Sequence, residues 1–70
     1  MEGMIIRAML IDADGDYYEV DGYTVTGDLQ ITYKASTVGM RVENPETMIR
    51  ALVAGGLTVA ESSEWQLRDL

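Results

Sequence analysis

Alternating apolar and polar positions predict that the first part of the chain forms two strands. Residues 4–11 are apolar on both alternating sides apart from Arg7, which is typical of a central strand or of one whose second face another subunit covers. The turn-forming residues 12–16 link it to a second strand over residues 17–20, as in a hairpin with a longer loop. These two strands open a β-meander.

The connection after the second strand has two interpretations. Asp21-Gly22 offers a tight reversal, or a bulge if the strand simply continues through residues 23–26. Gly27-Asp28 is the next break in the pattern, and under either interpretation a new strand begins after it.

The clearest strand pattern lies after this break. Apolar residues occupy every second position, at Leu29, Ile31, Tyr33 and Ala35 and again at Val38, Met40 and Val42. The residues between them are mostly polar or charged, so each strand is expected to be half-buried, with one wet face. A short turn at Ser36-Thr37 is expected to join the two strands into a hairpin.

Residues 44–56 carry the start and stop signals of one helix over about residues 45–54. Asn44 suits the N-cap, Pro45 suits the first helical position, and Gly55-Gly56 suits the end of the helix. One apolar stripe is formed by Met48, Ile49, Leu52 and Val53. The stripe leaves Arg50 on the opposite side, and a helix with a single stripe packs on a sheet.

The C-terminal segment has an ambiguous pattern. Residues 57–60 alternate briefly as a strand, and after an interruption residues 65–68 alternate again. We expect a final hairpin in which Trp65 and Leu67 face the core, with a short terminal helix capped by Ser63 as the alternative.

Together these elements predict a single α+β domain over residues 1–70. The expected fold is a mainly antiparallel sheet of about five or six short strands, with one helix on one face and a C-terminal strand or hairpin. A chain of 70 residues buries only about 60% of the surface that its unfolded form exposes, so its core is thin. Self-association as a homodimer is therefore expected.

Missing residue types exclude most catalytic chemistry. The chain has no His and no Cys, which removes His-based triads, Cys nucleophiles, tetrahedral zinc sites and iron–sulfur clusters. Gly55-Gly56 has neither the spacing nor the lysine of a phosphate-binding loop. We therefore expect no enzyme activity, no catalytic residue, no cofactor and no dedicated metal site.

The apolar run at residues 4–11 is far shorter than the stretch of about 20 residues that crosses a bilayer. It also lacks the flanks of a signal peptide, because Asp12-Ala13-Asp14 follows it directly. The sequence thus predicts a cytoplasmic protein without membrane contact.

Acidic residues are concentrated in one window. The chain carries 12 Asp and Glu against 5 Lys and Arg, a net charge of −7. Six acids and no base lie between Arg7 and Lys34, namely Asp12, Asp14, Asp16, Glu19, Asp21 and Asp28. If the strand persists, the first three form a row of carboxylates roughly 6.6 Å apart. Solubility and the hydrogen bonding of turns are the plain explanation of such charge.

An acidic face of this kind also suits a protein that binds a basic surface. The leading hypothesis is a non-enzymatic protein that occludes a basic, nucleic-acid-binding surface of another protein and does not itself bind nucleic acid. Its expected binding residues are Asp12, Asp14, Asp16, Tyr17, Glu19, Asp21 and Asp28. The short, acidic format is similar in composition, and in composition only, to small phage proteins that inhibit host nucleic-acid-binding proteins, including mimics of DNA.

A second hypothesis uses the apolar face of the first strand. A structural or assembly module, such as a small subunit of a phage or another particle, would associate through Ile5, Met9 and Ile11, which form the expected oligomer interface. The acidic residues then serve only solubility.

A third hypothesis concerns calcium. The segment Asp12-Ala13-Asp14-Gly15-Asp16 resembles the opening of an EF-hand calcium loop, with acids at the first, third and fifth loop positions. The resemblance ends at Tyr17, where the family has glycine, and at Tyr23, where it has glutamate. It implies at most a weak calcium-binding loop.

Overall fold

Successive hairpins build a sheet from the first four strands of the chain. The computed structural model describes residues 3–67, with strands β1 (Ile5–Ile11), β2 (Tyr17–Tyr23), β3 (Asp28–Tyr33), β4 (Ser36–Arg41) and β5 (Thr58–Val59) and helix α1 (Pro45–Ala54). β5 pairs antiparallel with β1, so the strand order is β4-β3-β2-β1-β5. This antiparallel sheet with one helix packed against it confirms the α+β prediction. In the described part of the chain, no helix has the length and apolar character needed to cross a bilayer.

β2 continues through Asp21-Gly22 with neither the reversal nor the bulge that the dipeptide offered. The pairing of Arg7 with Asp21 and of Ile6 with Gly22 is unbroken. Gly22 is buried, and a Cβ atom at this position would lie 2.7 Å from the Cβ of Pro45. The glycine therefore allows the start of the helix to pack closely on the sheet.

The turn between β3 and β4 lies at Lys34-Ala35, two residues before the predicted position. Lys34 adopts a left-handed conformation with φ of 49°. Both turn positions would keep the apolar residues on one face, so the alternation alone does not distinguish them. The observed register is stabilised by cross-strand contacts, because it pairs Thr32 with Thr37, whose Oγ1 atoms are 2.9 Å apart.

The helix has the predicted bounds. Asn44 is the N-cap, and its Oδ1 accepts the N–H groups of Glu46 at 3.0 Å and Thr47 at 3.2 Å. Pro45 occupies the first turn, and Gly55 caps the C-terminal end. These contacts lie within a few residues of one another, which is why the local sequence predicts them.

The core lies between α1 and the middle of the sheet. Its buried residues are Ile6, Ala8, Leu10, Val20, Leu29, Ile49 and Trp65. α1 packs mainly on β1 and β2 and leaves the same side of β4 open, where Val38 is 58% and Met40 is 38% exposed. The prediction that β4 is half-buried is therefore wrong, since all of its residues are exposed.

Residues that follow β5 complete the outer edge of β1. The N–H of Ala60 donates to the carbonyl of Met9, and that of Trp65 donates to the carbonyl of Arg7, both at 2.9 Å. Between them, the hydroxyl of Ser63 accepts the N–H of Met9 at 2.9 Å. The predicted strand at residues 57–60 is present as β5, but residues 60–67 form an irregular strap. Within these residues neither the second strand of the expected hairpin nor the alternative helix forms.

The strap brings Trp65 next to the helix. Trp65 is buried as predicted, whereas Leu67 is 47% exposed, so the prediction that it faces the core is wrong. The guanidinium carbon of Arg50 lies 5.2 Å from the centroid of the Trp65 ring. Arg50 therefore packs on the strap and does not lie opposite the packed side of the helix. Arg68, the last residue of the expected hairpin, lies outside the described residues.

Candidate functional site

The sheet has one face that α1 does not cover, which we call the helix-free face. Because side chains alternate along a strand, burial of Ile6, Ala8 and Leu10 under the helix turns the residues between them to this other face. On β2 the buried Val20 fixes the alternation in the same way. Two adjacent columns of side chains, one from β1 and one from β2, therefore lie at the centre of the helix-free face.

The β2 column consists of Tyr17, Glu19, Asp21 and Tyr23, which we call the β2 strip. β2 is the central strand of the sheet. Tyr17 is 55% and Tyr23 is 49% exposed, Glu19 is exposed, and Asp21 is half-buried. Among residues 3–67, neither carboxylate of the strip takes part in an ion pair or a side-chain hydrogen bond. Two carboxylates without an ion pair thus lie between two exposed aromatic rings, and Arg7 lies opposite Asp21 on the neighbouring strand.

The β1 column lies directly beside this strip. The register pairs Ile5 with Tyr23, Arg7 with Asp21, Met9 with Glu19 and Ile11 with Tyr17. Ile5 is 43% exposed, and Met9 and Ile11 are half-buried. The sequence predicted separate roles for the acidic residues and for these apolar residues, but the structure brings both sets together on one face.

An open hollow of about 700 Å³ borders the strip on its β3 and β4 side. Its lining includes Asp21, Tyr23, Asp28, Gln30, Gly39 and Arg41. The space beside Gly39 is empty, because a Cβ atom at this position would meet no atom within 4 Å. The hollow is large enough to receive a side chain of another molecule next to Asp21.

Asp28 belongs to the same face, but its charge is partly compensated. The side chain of Arg41 lies 3.1 Å from its Oδ1, and the hydroxyl of Thr26 donates to its Oδ2 at 2.9 Å. The Thr26 hydroxyl, followed by Arg41, lowers the pKa of Asp28 below its ordinary value. Asp28 is therefore a weaker attractor of a basic partner than the sequence suggested.

Asp12, Asp14 and Asp16 do not form the predicted row along a strand. The chain turns here, with the N–H of Gly15 donating to the carbonyl of Asp12 at 3.0 Å and Gly15 at φ of 86°. The turn gathers the three carboxylates, which place one oxygen each within 4.8 Å of one another. Because the strand ends at Ile11, the carboxylates cluster at one end of the sheet.

Two of these three carboxylates hold the hairpin together. Oδ1 of Asp12 accepts the N–H groups of Asp14 and Asp16, each at 2.9 Å, and its Oδ2 accepts the hydroxyl of Tyr18 at 3.0 Å. Asp16 accepts the hydroxyl of Tyr33 at 3.1 Å. These bonds give Asp12 and Asp16 a structural role in the turn, and they leave Asp14 as the exposed carboxylate of the three.

The same bonds change the protonation of their members. The N–H of Asp16 is the main cause that lowers the pKa of Asp12 below its ordinary value of 3.8. Loss of hydration on packing, together with the Asp12 carboxylate, raises the pKa of Tyr18 to about 12. The ring of Tyr18 stacks on that of Tyr33 with centroids 4.4 Å apart, which closes the hairpin end of the sheet.

Arg7 and Tyr23 lie on this face but are not among the binding residues predicted from the sequence. Tyr23 continues the two-residue period of Tyr17, Glu19 and Asp21, so strict alternation would have found it. The interpretation of Gly22 as a turn or bulge interrupted that period and concealed the residue.

The chain matches no protein-family model, no curated protein and no solved structure.

Proposed function

We propose that this chain is a non-enzymatic binding protein whose helix-free face docks on a basic, nucleic-acid-binding surface of another protein and occludes it. The observation that carries the proposal is the β2 strip, in which two carboxylates that form no ion pair among residues 3–67 lie between two exposed tyrosines. The proposal includes a cytoplasmic location, where such basic surfaces are accessible. The chain itself makes no direct contact with nucleic acid.

Charge and shape each support this proposal. Glu19 and Asp21 are two residues apart on one strand, so their Cα atoms are roughly 6.6 Å apart. Both carboxylates are free to pair with cations of a partner. The net charge of −7 attracts a basic surface over a distance and raises the rate of encounter. Tyr17 and Tyr23 at the two ends of the strip exclude water from the charged centre once a partner is bound.

Apolar side chains beside the strip supply the remaining binding energy. Ile5, Met9 and Ile11 offer apolar surface next to the carboxylates, which is the usual make-up of an interface with a desolvated centre. Asp14 extends the negative potential beyond the end of the sheet. Asp12, Asp16 and Asp28 contribute mainly to the field, because their carboxylates already have partners within the chain.

Affinity capture from cell extract at low and at high salt tests the proposal. The test variant is Glu19→Gln/Asp21→Asn, and the matched control is Glu43→Gln/Glu61→Gln, which removes the same charge from exposed residues outside the strip. We expect a basic protein to be captured at low salt by wild type and control, and to bind the test variant at least about tenfold more weakly. The wild-type chain should then compete with a labelled DNA duplex for that captured protein.

Equal capture by the test and control variants would remove the strip from the interface. Simultaneous binding of DNA and of this chain to the captured protein would contradict occlusion.

A structural or assembly module is the second candidate, favoured by the 43% exposure of Ile5. Association of this kind depends on apolar burial, so it should survive high salt and fail in Ile5→Asn or Met9→Gln. The proposed acidic interface has the opposite salt dependence, and the two candidates are therefore separated by one salt series.

A further inference from the structure

The two edges of the sheet differ in whether other residues cover them. β5 and the strap cover the edge of β1, whereas β4 ends the sheet on the other side, and no described residue pairs with its outer edge. In a two-residue hairpin the residues that flank the turn form a hydrogen-bonded pair, here Tyr33 and Ser36, and the direction of the backbone groups alternates along β4 from this pair. The N–H of Val42 donates to the carbonyl of Gly27, in agreement with this alternation. The N–H and C=O groups of Thr37, Gly39 and Arg41 consequently point outward from the edge.

The edge of β4 has few of the features that normally prevent pairing with another chain. Its only charged residue is Arg41 at its end, it contains no proline, and its pairing with β3 has no bulge. Val38 and Met40 are exposed on the side of the sheet where the core lies. A strand of this kind associates with another strand unless something covers it.

We propose that β4 pairs antiparallel with β4 of a second copy of this chain, around a two-fold axis at Gly39, to give one continuous ten-stranded sheet.

Charge favours a second copy as the occupant. Residues 29–42 contain no Asp or Glu and carry Lys34 and Arg41, in a chain whose net charge is −7. Two copies repel each other elsewhere, but at this edge they bring no carboxylates together. The two Arg41 residues lie roughly 13 Å apart along the paired strands, beyond the screening length of about 8 Å, and each already has Asp28 beside it.

The register at Gly39 is self-complementary. Gly39 lies opposite the second copy's Gly39 in a hydrogen-bonded pair, which matches the outward direction of its backbone groups. Val38 then lies opposite the second copy's Met40, and Met40 opposite the second copy's Val38, in pairs whose side chains are close. A register centred on Val38 would instead place Met40 opposite the second copy's Ser36, and one centred on Met40 would place Val38 opposite the second copy's Val42, which lies beyond the end of β4.

The pairing has a consequence for the helix-free face. A two-fold axis perpendicular to the sheet places both helices on one side and both β2 strips on the other. The dimer therefore presents two identical binding faces side by side, and its formation does not depend on whether either face binds a basic partner.

Measurement of the molecular mass of the purified chain tests self-association without any partner. Sedimentation equilibrium should give a dimer of the 7.7 kDa chain. Val38→Lys should raise the Kd of the dimer at least about tenfold, because the ammonium would face the second copy's apolar residue. The matched control is Val25→Lys, since Val25 is 57% exposed against 58% for Val38 and lies in the loop between β2 and β3, outside the paired edge.

Cysteine variants test the register, because the chain has no cysteine of its own. When Val38→Cys and Met40→Cys proteins are mixed under a thiol–disulfide buffer, we expect the mixed disulfide to dominate over either self-linked species. A monomer at all concentrations, or equal dimerisation of Val38→Lys and Val25→Lys, would overturn the proposal. Self-linking of either single variant in place of the mixed product would overturn the Gly39-centred register.

Discussion

The hydroxyl of Ser63 accepts the N–H of Met9 at 2.9 Å, a hydrogen bond that a neighbouring strand would otherwise make at this edge of the sheet. The same hydroxyl donates to the carbonyl of Trp65 at 2.7 Å, and the side-chain amide of Gln66 donates to the carbonyl of Ser63 at 2.8 Å. One buried side chain thus joins the edge of β1 to the tryptophan that closes the core. Because this edge is covered, a strand of another chain can pair only with the opposite edge of the sheet.

Removal of this hydroxyl should destabilise the protein. Ser63→Ala leaves the N–H of Met9 and the carbonyl of Trp65 without their partner, and we expect the free energy of unfolding to fall by about 1–3 kcal/mol. Ser62→Ala is the matched control, because Ser62 is exposed, and its effect should stay within about 0.5 kcal/mol. Urea denaturation measures both, and equal midpoints for the two variants would contradict the role of Ser63.

Two glycines of the sheet should respond in opposite ways to alanine. Gly22→Ala forces a Cβ against Pro45, and we expect a loss of about 1–3 kcal/mol of stability. Gly39→Ala places its Cβ in open space, so it should be neutral or stabilise by up to about 1 kcal/mol. Thermal unfolding of the two variants checks the contrast, and a stable Gly22→Ala protein would show that the helix can shift away from the sheet.

Acid should remove the contribution of Asp12 to stability. Because the pKa of Asp12 is lower in the folded chain than its ordinary value of 3.8, the unfolded chain takes up the proton first. The contribution is present above pH 3.8 and is lost as the pH falls through the folded pKa. Asp12→Asn should therefore be less stable than wild type at neutral pH, with a difference that closes in acid.

Urea denaturation at successive pH values measures this difference. Asp14→Asn is the control, because only the backbone N–H of Asp14 takes part in the bonds of the turn. A gap between wild type and Asp12→Asn that is constant with pH would contradict the assignment.

Alkali should act through Tyr18. Its pKa of about 12 lies above the ordinary value of 10.0, so the neutral hydroxyl is favoured by folding. Its contribution to stability is complete below pH 10.0 and is lost as the pH rises through about 12. The ultraviolet titration of tyrosine should contain a late step that is absent from Tyr18→Phe, and two titrations that differ only near pH 10 would contradict the raised pKa of Tyr18.

The helix was predictable because its signals are local. Asn44, Pro45 and Gly55 act on backbone groups a few residues away, so the residue types alone determine where α1 begins and ends. The alternation in β1, β2 and β3 likewise predicts which side chains share a face, since it follows from the geometry of a single strand.

The turn between β3 and β4 and the strap were not predictable in the same way. Two registers of the hairpin keep the same faces, and the observed one depends on contacts such as that of Thr32 with Thr37 across the strands. The strap depends on Ser63, whose partner Met9 lies 54 residues earlier in the chain. Neither contact leaves a periodic signal in the sequence.

For the candidate binding face, the sequence by itself determined the acidic window and the missing catalytic residue types. The tertiary structure decided that β2 continues through Asp21-Gly22, which aligns Glu19 with Asp21, and it decided which carboxylates remain free. Turn geometry ties Asp12 and Asp16 into the hairpin, and pairing of β3 with β4 brings Arg41 to Asp28. A carboxylate's charge is a property of its residue, but its availability depends on the donors that folding brings within hydrogen-bonding distance.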